Sequence, residues 1–413
     1  MTSLDGSTRT NTSPTAVGDR AWRLLRLASS GRDAVSFTAG GERNVLLNHP
    51  DYAKHVLGTN RDNYTKDTGP NRFFKTRVAD GILTADGERW RHQRTVVNPA
   101  FKETPRVLDA AHECLAAAIE RMDHAAETGA PVNLTAEMGQ VTLGITTRAL
   151  FGLDHAQFMA HCTDIGALLD ASASLLPTEC PAVQHDPREA LFDAVRRAVA
   201  RIDDDSRGPA LEAVLADPGH PGDAVAHQIV TLLLAGYETT ANSLTWAWIL
   251  LGRNVSTYRE WQRELDAGDE KKFTKAIFDE TLRLYPSAWV IGRRAIAADR
   301  VGELTIPAGA SITISPFLLH RHPGFWADAD RFDPGRFRPG GHRPGHRYAY
   351  IPFGGGPRFC IGSGYALAEA HLILSTLGRR YTFAATDDGE PKPTHKFVLR
   401  APDPYSVLVQ RRR

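Results

Sequence analysis

Apolar residues recur on a helical period through most of this chain. After Cys360, the positions Leu367, Ala370, Leu374 and Leu377 share one face of a helix. The same period predicts helices over residues 21–29, 51–58, 87–101, 104–125 and 135–151. Much of 155–220 reads as helix too, broken near Pro177–Pro181, Gly208 and Pro218–Pro221. The longest helix starts near Ala224 and runs past Leu250, and another over 271–286 is stopped by Pro286. Strand-like runs sit toward both ends: 34–39 and 43–48 around a Gly40–Gly41 turn, then 288–295, 304–309, 310–316, 395–401 and 405–410. Residues 64–85, with Phe73 and Phe74 at their middle, read as a long irregular loop of the kind that forms lids and binding loops. Residues 322–347 read as a meander of Pro, Gly, Asp and Arg.

Composition narrows the class. Of 413 residues, 42% are hydrophobic, enough for a large core, and the net charge is +1. So even a balance argues against nucleic acid or an anionic membrane as the partner. The polar, Ser- and Thr-rich residues 1–20 are expected to be a disordered tail, and 21–413 to form a single domain. Neither a signal peptide nor a membrane span is expected. Cys114, Cys162, Cys180 and Cys360 show no paired spacing, so reduced thiols and a cytoplasmic location are expected.

Two stretches break local rules. In Phe353–Gly364, the glycines Gly354, Gly355 and Gly356 precede Arg358 and Cys360. A cysteine just before a helix start meets unpaired N–H groups and the positive dipole end, which favour a thiolate able to act as nucleophile or metal ligand. The glycines would allow close approach of something flat and bulky. In the longest helix, Gly236, Glu238, Thr239 and Thr240 interrupt an apolar run. An interior glycine costs roughly 1 kcal/mol relative to alanine, so a functional site is expected there.

Four ordered motifs then carry a resemblance. Phe353, Gly356, Arg358, Cys360 and Gly362 fit Phe-x-x-Gly-x-Arg-x-Cys-x-Gly. The run AGYETT, the pair Glu280 and Arg283 with Arg336, and Trp90 with Arg94 supply the others. Together they resemble the bacterial cytochrome P-450 family, the haem-thiolate monooxygenases. The resemblance implies a mainly α fold with a smaller β-rich region, the haem lying between the long distal helix and the cysteine-loop helix. It implies haem b with Cys360 as axial ligand, and no bound flavin or iron–sulfur cluster. Phe353, Gly354 and Gly362 would surround the sulfur. Trp90, Arg94, Arg358 and Arg294 would meet the propionates, with Arg293 the rival of Arg294 and His92 a further possibility. Ala235 and Gly236 would border the oxygen site, Gly236 by lacking a side chain. Glu238 and Thr239 would be the catalytic acid–alcohol pair, with Thr240 as the neighbouring alternative. Glu280, Arg283 and Arg336 would form a buried structural cluster.

By family position, Phe73, Phe74, Leu83, Leu232, Ala288, Trp289, Val290 and Phe397 would line the substrate pocket. A medium-sized, largely apolar small molecule of secondary metabolism is expected, hydroxylated, epoxidised or oxidatively coupled. A ferredoxin and its NAD(P)H-dependent reductase would supply electrons to a monomer, docking on Arg89, Arg91, Lys102, Arg338, Arg343 and Arg347. Rival readings are a peroxide-driven peroxygenase on the same fold and a non-catalytic haem-containing accessory protein; both would be expected to lack residues that this chain retains. No Lys–Ser/Thr follows the glycines, which excludes a phosphate-binding loop.

Overall fold

The computed structural model describes residues 32–412 apart from 40, 41, 103, 157, 159–186, 221 and 269. The expected tail, the helix at 21–29, the Gly40–Gly41 turn and the break at Pro177–Pro181 lie outside the described residues.

The chain opens with β1 (Ala34–Ala39) and β2 (Glu42–Leu47), then α1 (Pro50–Lys54), which widens into a π turn over His55–Thr59. After β3 (Tyr64–Thr65) the expected irregular loop instead forms α2 (Gly69–Arg77). Pro70 in its first turn is pre-set for the helix, and Lys75 and Arg77 complement the dipole in its last turn. Next come α3 (Gly87–Val97), α4 (Thr104–Thr128), β4 (Val132–Asn133) and α5 (Leu134–Thr146). Then follow α6 (Pro187–Arg201), α7 (Pro209–Ala216), α8 (Asp223–Arg253), α9 (Val255–Ala267) and α10 (Glu270–Leu284). The strands β5 (Ile291–Ala295), β6 (Asp299–Val301), β7 (Leu304–Ile306) and β8 (Ser311–Ile314) precede the short α11 (Pro316–Leu319). The chain closes with α12 (Ser363–Arg380), β9 (Tyr381–Ala385), β10 (Thr394–His395), β11 (Leu399–Arg400) and β12 (Ser406–Arg411).

A main apolar cluster runs from Phe74 to Val409 and joins the helices to β9 and β12. Helix α8 is its axis, 31 residues long and therefore roughly 46 Å. It packs along α5, with α10 and α12 also against it. Residues Leu232–Leu234 and Leu244–Leu251 of α8 are buried, as their apolar runs require. On α12, Ala370, Leu374 and Leu377 are buried and Leu367 is half-buried.

The β-rich part is a five-stranded sheet in the order β1-β2-β8-β5-β3. Only β2 and β8 pair in parallel; the other pairs are antiparallel. Strand period divides its core. Val45 and Leu47 join Ile312 and Ile314 on one face, while Leu46 joins Phe317, Leu318 and Leu399 on the other. Strand β12 lies between β4 and β9. The five-stranded sheet thus joins residues 34–65 to residues 291–314, while the C-terminal β12 belongs to a separate sheet.

Candidate functional site

The cysteine loop is held by its own backbone. Cys360 N donates to Phe353 O at 3.0 Å, closing the turn that leads through Gly362, the N-cap of α12. Phe353 and Phe359 face each other with ring centroids 6.1 Å apart. Protein crowds the Cys360 sulfur, yet the residue retains accessible surface. Burial pushes its thiol pKa up, against the Gly362 and Ser363 N–H groups and the Arg94 charge, which act to lower it. The helix start is therefore outweighed by burial, and a cation on the sulfur would favour the thiolate.

Two of the three glycines are required by the protein's own packing. Gly356 has φ +69°, and a Cβ there would lie 1.8 Å from Leu57 O. A Cβ on Gly355 would strike the Tyr348 ring at 2.7 Å. Gly354, at φ +75°, needs its conformational freedom, and a Cβ there would meet only Ile291 Cδ1 at 3.9 Å, an ordinary contact.

Above this loop lies an unbalanced set of charges. Arg358 donates to Ala85 O at 2.9 Å and to the Asp86 carboxylate, and its guanidinium stands 4.3 Å from the Trp90 ring. Lys66 donates from its ammonium to Leu83 O and from its backbone to Asp86 Oδ2 at 2.6 Å. Arg293 is buried beside Arg358. Burial and the two arginines push the Lys66 ammonium well below its usual range, and burial with Arg358 lowers Arg293 to about 10. Asp86 is the opposing charge for both Lys66 and Arg293. Arg94, one helical turn after Trp90, is lowered by burial and interacts electrostatically with Cys360. Three cations, Arg293 buried and Lys66 and Arg358 half-buried, share one carboxylate and call for further anionic groups. A haem fits this arrangement: its iron matches the cysteine sulfur, and its carboxylates match the surplus cations.

Strand geometry corrects the choice of arginine. Adjacent residues on β5 point to opposite faces. Arg294 bonds Asp67 O at 2.9 Å and Gly309 O at 3.2 Å, whereas Arg293, on the other face, is buried beside Arg358 and Asp86. Lys66 and Asp86 carried no sequence signal. Asp86 precedes α3 as an ordinary N-cap residue would, yet its side chain makes no capping bond and serves Arg358 instead. His92 points elsewhere, to Asp217 at 2.7 Å, which also binds His220.

On α8, Ala235 is exposed although Leu232–Leu234 and Glu238 are buried, so its face borders a gap. Gly236 does not share that face: a Cβ there would lie 2.8 Å from Thr146 Cγ2. The glycine admits α5, and its predicted place at the oxygen site is corrected accordingly. Thr239 Oγ1 donates to Ala235 O at 2.9 Å, and Thr239 O accepts from Ser287 Oγ at 2.8 Å. Thr240 is buried; its hydroxyl donates to Gly236 O at 3.3 Å and also meets Glu369. Burial raises Glu369 to about 8, against that hydroxyl. Of the two threonines, Thr239 is thus the one on the Ala235 side. Glu238 turns to the C-terminal hairpin, where Arg400 Nε and Nη2 reach its Oε1 at 2.9 and 2.5 Å.

The expected pocket residues divide. Phe74 stacks on Phe397 with centroids 5.3 Å apart, and half-buried Phe73 and Leu83 pack nearby on the main cluster. Leu232 is buried, Val290 half-buried and Ala288 exposed beside Ser287. Trp289 is core rather than lining: it packs with Leu46, Phe317, Leu318 and Leu399 and donates to Lys396 O at 2.8 Å.

The structural cluster is assembled. Arg283 Nε and Nη2 reach the two Glu280 oxygens at 2.7 and 2.8 Å, all of it buried. Arg336 Nε stands 3.5 Å from Glu280, which also accepts from Asp333 N at 2.8 Å. Behind the cysteine loop a cavity of about 420 Å³ is lined by Lys275, Asp279, Arg343, Arg347 and the loop residues Phe353–Gly356. Arg89, Arg91 and Arg338 are already ion-paired, with Asp80, Glu88 and the Glu260–Glu264 pair. No helix among the described residues is long and apolar enough to cross a membrane.

The family model "Cytochrome P450" matches residues 21–187 and 211–409. Cyclooctatin synthase of Streptomyces melanosporofaciens is 32% identical over 92% of this chain and 88% of its own length. Cyclooctat-9-en-7-ol 5-monooxygenase of the same organism is 28% identical, covering 89% of this chain and 86% of its own. Pentalenene oxygenase of Streptomyces avermitilis is 27% identical, covering 90% of each. With its cysteine loop, its surplus cations and these matches, the chain belongs to the cytochrome P-450 family of haem-thiolate monooxygenases.

Proposed function

We propose that this enzyme oxidises a medium-sized, largely apolar alkene or alkenol, with terpenoids the favoured class. The observation that carries the reading is the aromatic and aliphatic set Phe73, Phe74, Leu83, Leu232 and Phe397, which shares one apolar cluster, with Phe74 stacked on Phe397. Apolar lining rewards apolar substrates in proportion to the area removed from water. Two relatives bear the names of an alkene and an alkenol, which supports the class.

When bound, the haem supplies activation of dioxygen, the thiolate pushing electron density toward the iron. Cys360 would hold the iron, and the Gly362 and Ser363 N–H groups would soften the sulfur charge. Arg94, Arg293, Arg358 and Lys66 would hold the carboxylates, with Trp90 bracing Arg358. Thr239 Oγ1 offers a hydroxyl on the oxygen side, and Glu238 carries protons inward from solvent. Substrate, dioxygen, two electrons and two protons give oxidised product and water. The electrons come from outside this chain, from an acidic ferredoxin and its NAD(P)H-dependent reductase in the cytoplasm. Arg343 and Arg347, at the cavity behind the cysteine loop, support docking there.

The test is a ferrous–carbon monoxide difference spectrum followed by a spin-shift screen of terpenoid alkenes and alkenols. A thiolate-type band and a substrate-induced spin shift are expected. A nitrogen-type band would sink the ligation, and shifts only with polar or charged compounds would sink the substrate class.

A further inference from the structure

The C-terminal hairpin β10–β11 touches the site at three separate points. Its tip carries Phe397, stacked on Phe74 at 5.3 Å and 23° between planes. Its returning strand bonds the backbone before β5, Leu399 N donating to Ser287 O at 2.9 Å. The Ser287 hydroxyl in turn donates to Thr239 O. The next residue, Arg400, brings two donors to Glu238 Oε1, and Ala401 N closes on Asn242 Oδ1 at 2.8 Å. Consecutive residues of α8, Glu238 and Thr239, are therefore both tied to one hairpin whose tip packs on the aromatic lining.

We propose that Arg400 is the positioning residue for Glu238, and that the hairpin couples occupancy of the aromatic cavity to that carboxylate. Strand alternation explains the division of labour: Leu399 is wholly buried in the sheet-side cluster, which turns Arg400 toward α8. The Glu238 side chain keeps 11% of its surface and Arg400 28%, so the pair is shielded but reachable from solvent. The pair governs where the carboxylate points and how readily it takes up a proton. A substrate that displaces Phe397 moves the strand carrying Arg400 and loosens its hold.

This inference rests on Glu238 as the distal proton carrier. Its test follows the carboxyl infrared band of the holoenzyme through a pH titration, with Glu238→Gln assigning the band. In R400Q the protonated band should persist about one pH unit higher, because a carboxylate that loses a cationic neighbour keeps its proton longer. R400K should restore most of the shift, which a merely structural role would not predict. F397A should move the band in the same direction by less. An unmoved band in R400Q overturns the positioning role, and an unmoved band in F397A overturns the coupling to the cavity. The haem reading stands or falls separately on the carbon monoxide spectrum.

Discussion

Glu280 and Arg283, one turn apart on α10, form a two-pronged ion pair with no solvent access to either side chain. Arg283 also donates to His320 O, Ala329 O and Arg331 O, so one side chain fastens α10 to the meander before the cysteine loop. Removing one member leaves the other charged and buried, at a cost of about 3–5 kcal/mol. Glu280→Ala should therefore be recovered insoluble or without haem. Normal haem content and an unchanged urea midpoint would contradict this.

Arg293 and Arg294 should differ sharply. Losing a charge-assisted bond to a carboxylate costs about 1.5–3 kcal/mol, roughly ten- to a hundredfold in affinity. Arg293→Ala should speed haem transfer to apomyoglobin by that factor. Arg294→Ala, whose side chain braces Asp67 O and Gly309 O, should change transfer little.

Gly236 makes a packing prediction. Alanine there gains about 1 kcal/mol of helix propensity but overpacks against Thr146, at about 1–3 kcal/mol. G236A should lower the melting temperature, and T146A in the same chain should recover the loss. A G236A loss that T146A leaves untouched would place the obstacle elsewhere.

Thr239→Ala should retain haem, since the side chain bonds only within α8. Product formed per NAD(P)H should fall at least about tenfold, with peroxide rising in step. Unchanged coupling would remove Thr239 from the proton path.

His320 sets an acid limit. Ile351 N donates to its Nε2 at 2.8 Å, so its Nδ1 carries the proton given to Arg283 O at 3.1 Å. Burial, aided by the charges of Arg283 and Arg321, lowers its pKa to about 3 from the ordinary 6.5. The unfolded chain binds more protons between those values, so stability falls as pH drops below about 6.5, by up to about 1.4 kcal/mol per pH unit. Urea midpoints between pH 7 and 5 should show this slope, and His320→Gln should flatten it.

Much of the site was legible in the chain itself. The period of α8 and α12 reports burial on their own faces, and the spacing of Cys360 from its helix start is local. The pair Glu280–Arg283 was readable because residues three apart on a helix must meet. Local reading failed at α2, whose Gly, Pro, Asn and Arg weigh toward a loop while burial of Phe74 against Phe397 overrides them; it also missed β9 and read the β10–β11 hairpin as one strand.

What tertiary structure alone decided is which side each face meets. Strand alternation says that Arg293 and Arg294 diverge, but only the pairing of β5 with β3 and β8 puts Arg293 beside Arg358. The same holds for Lys66 and Asp86, which join Arg358 across most of the chain, and for Gly236, whose neighbour Thr146 belongs to another helix. Arg400 meets Glu238 from 162 positions away. Local periodicity orients a side chain within its own element; the element facing it is chosen by packing, which no window of sequence contains.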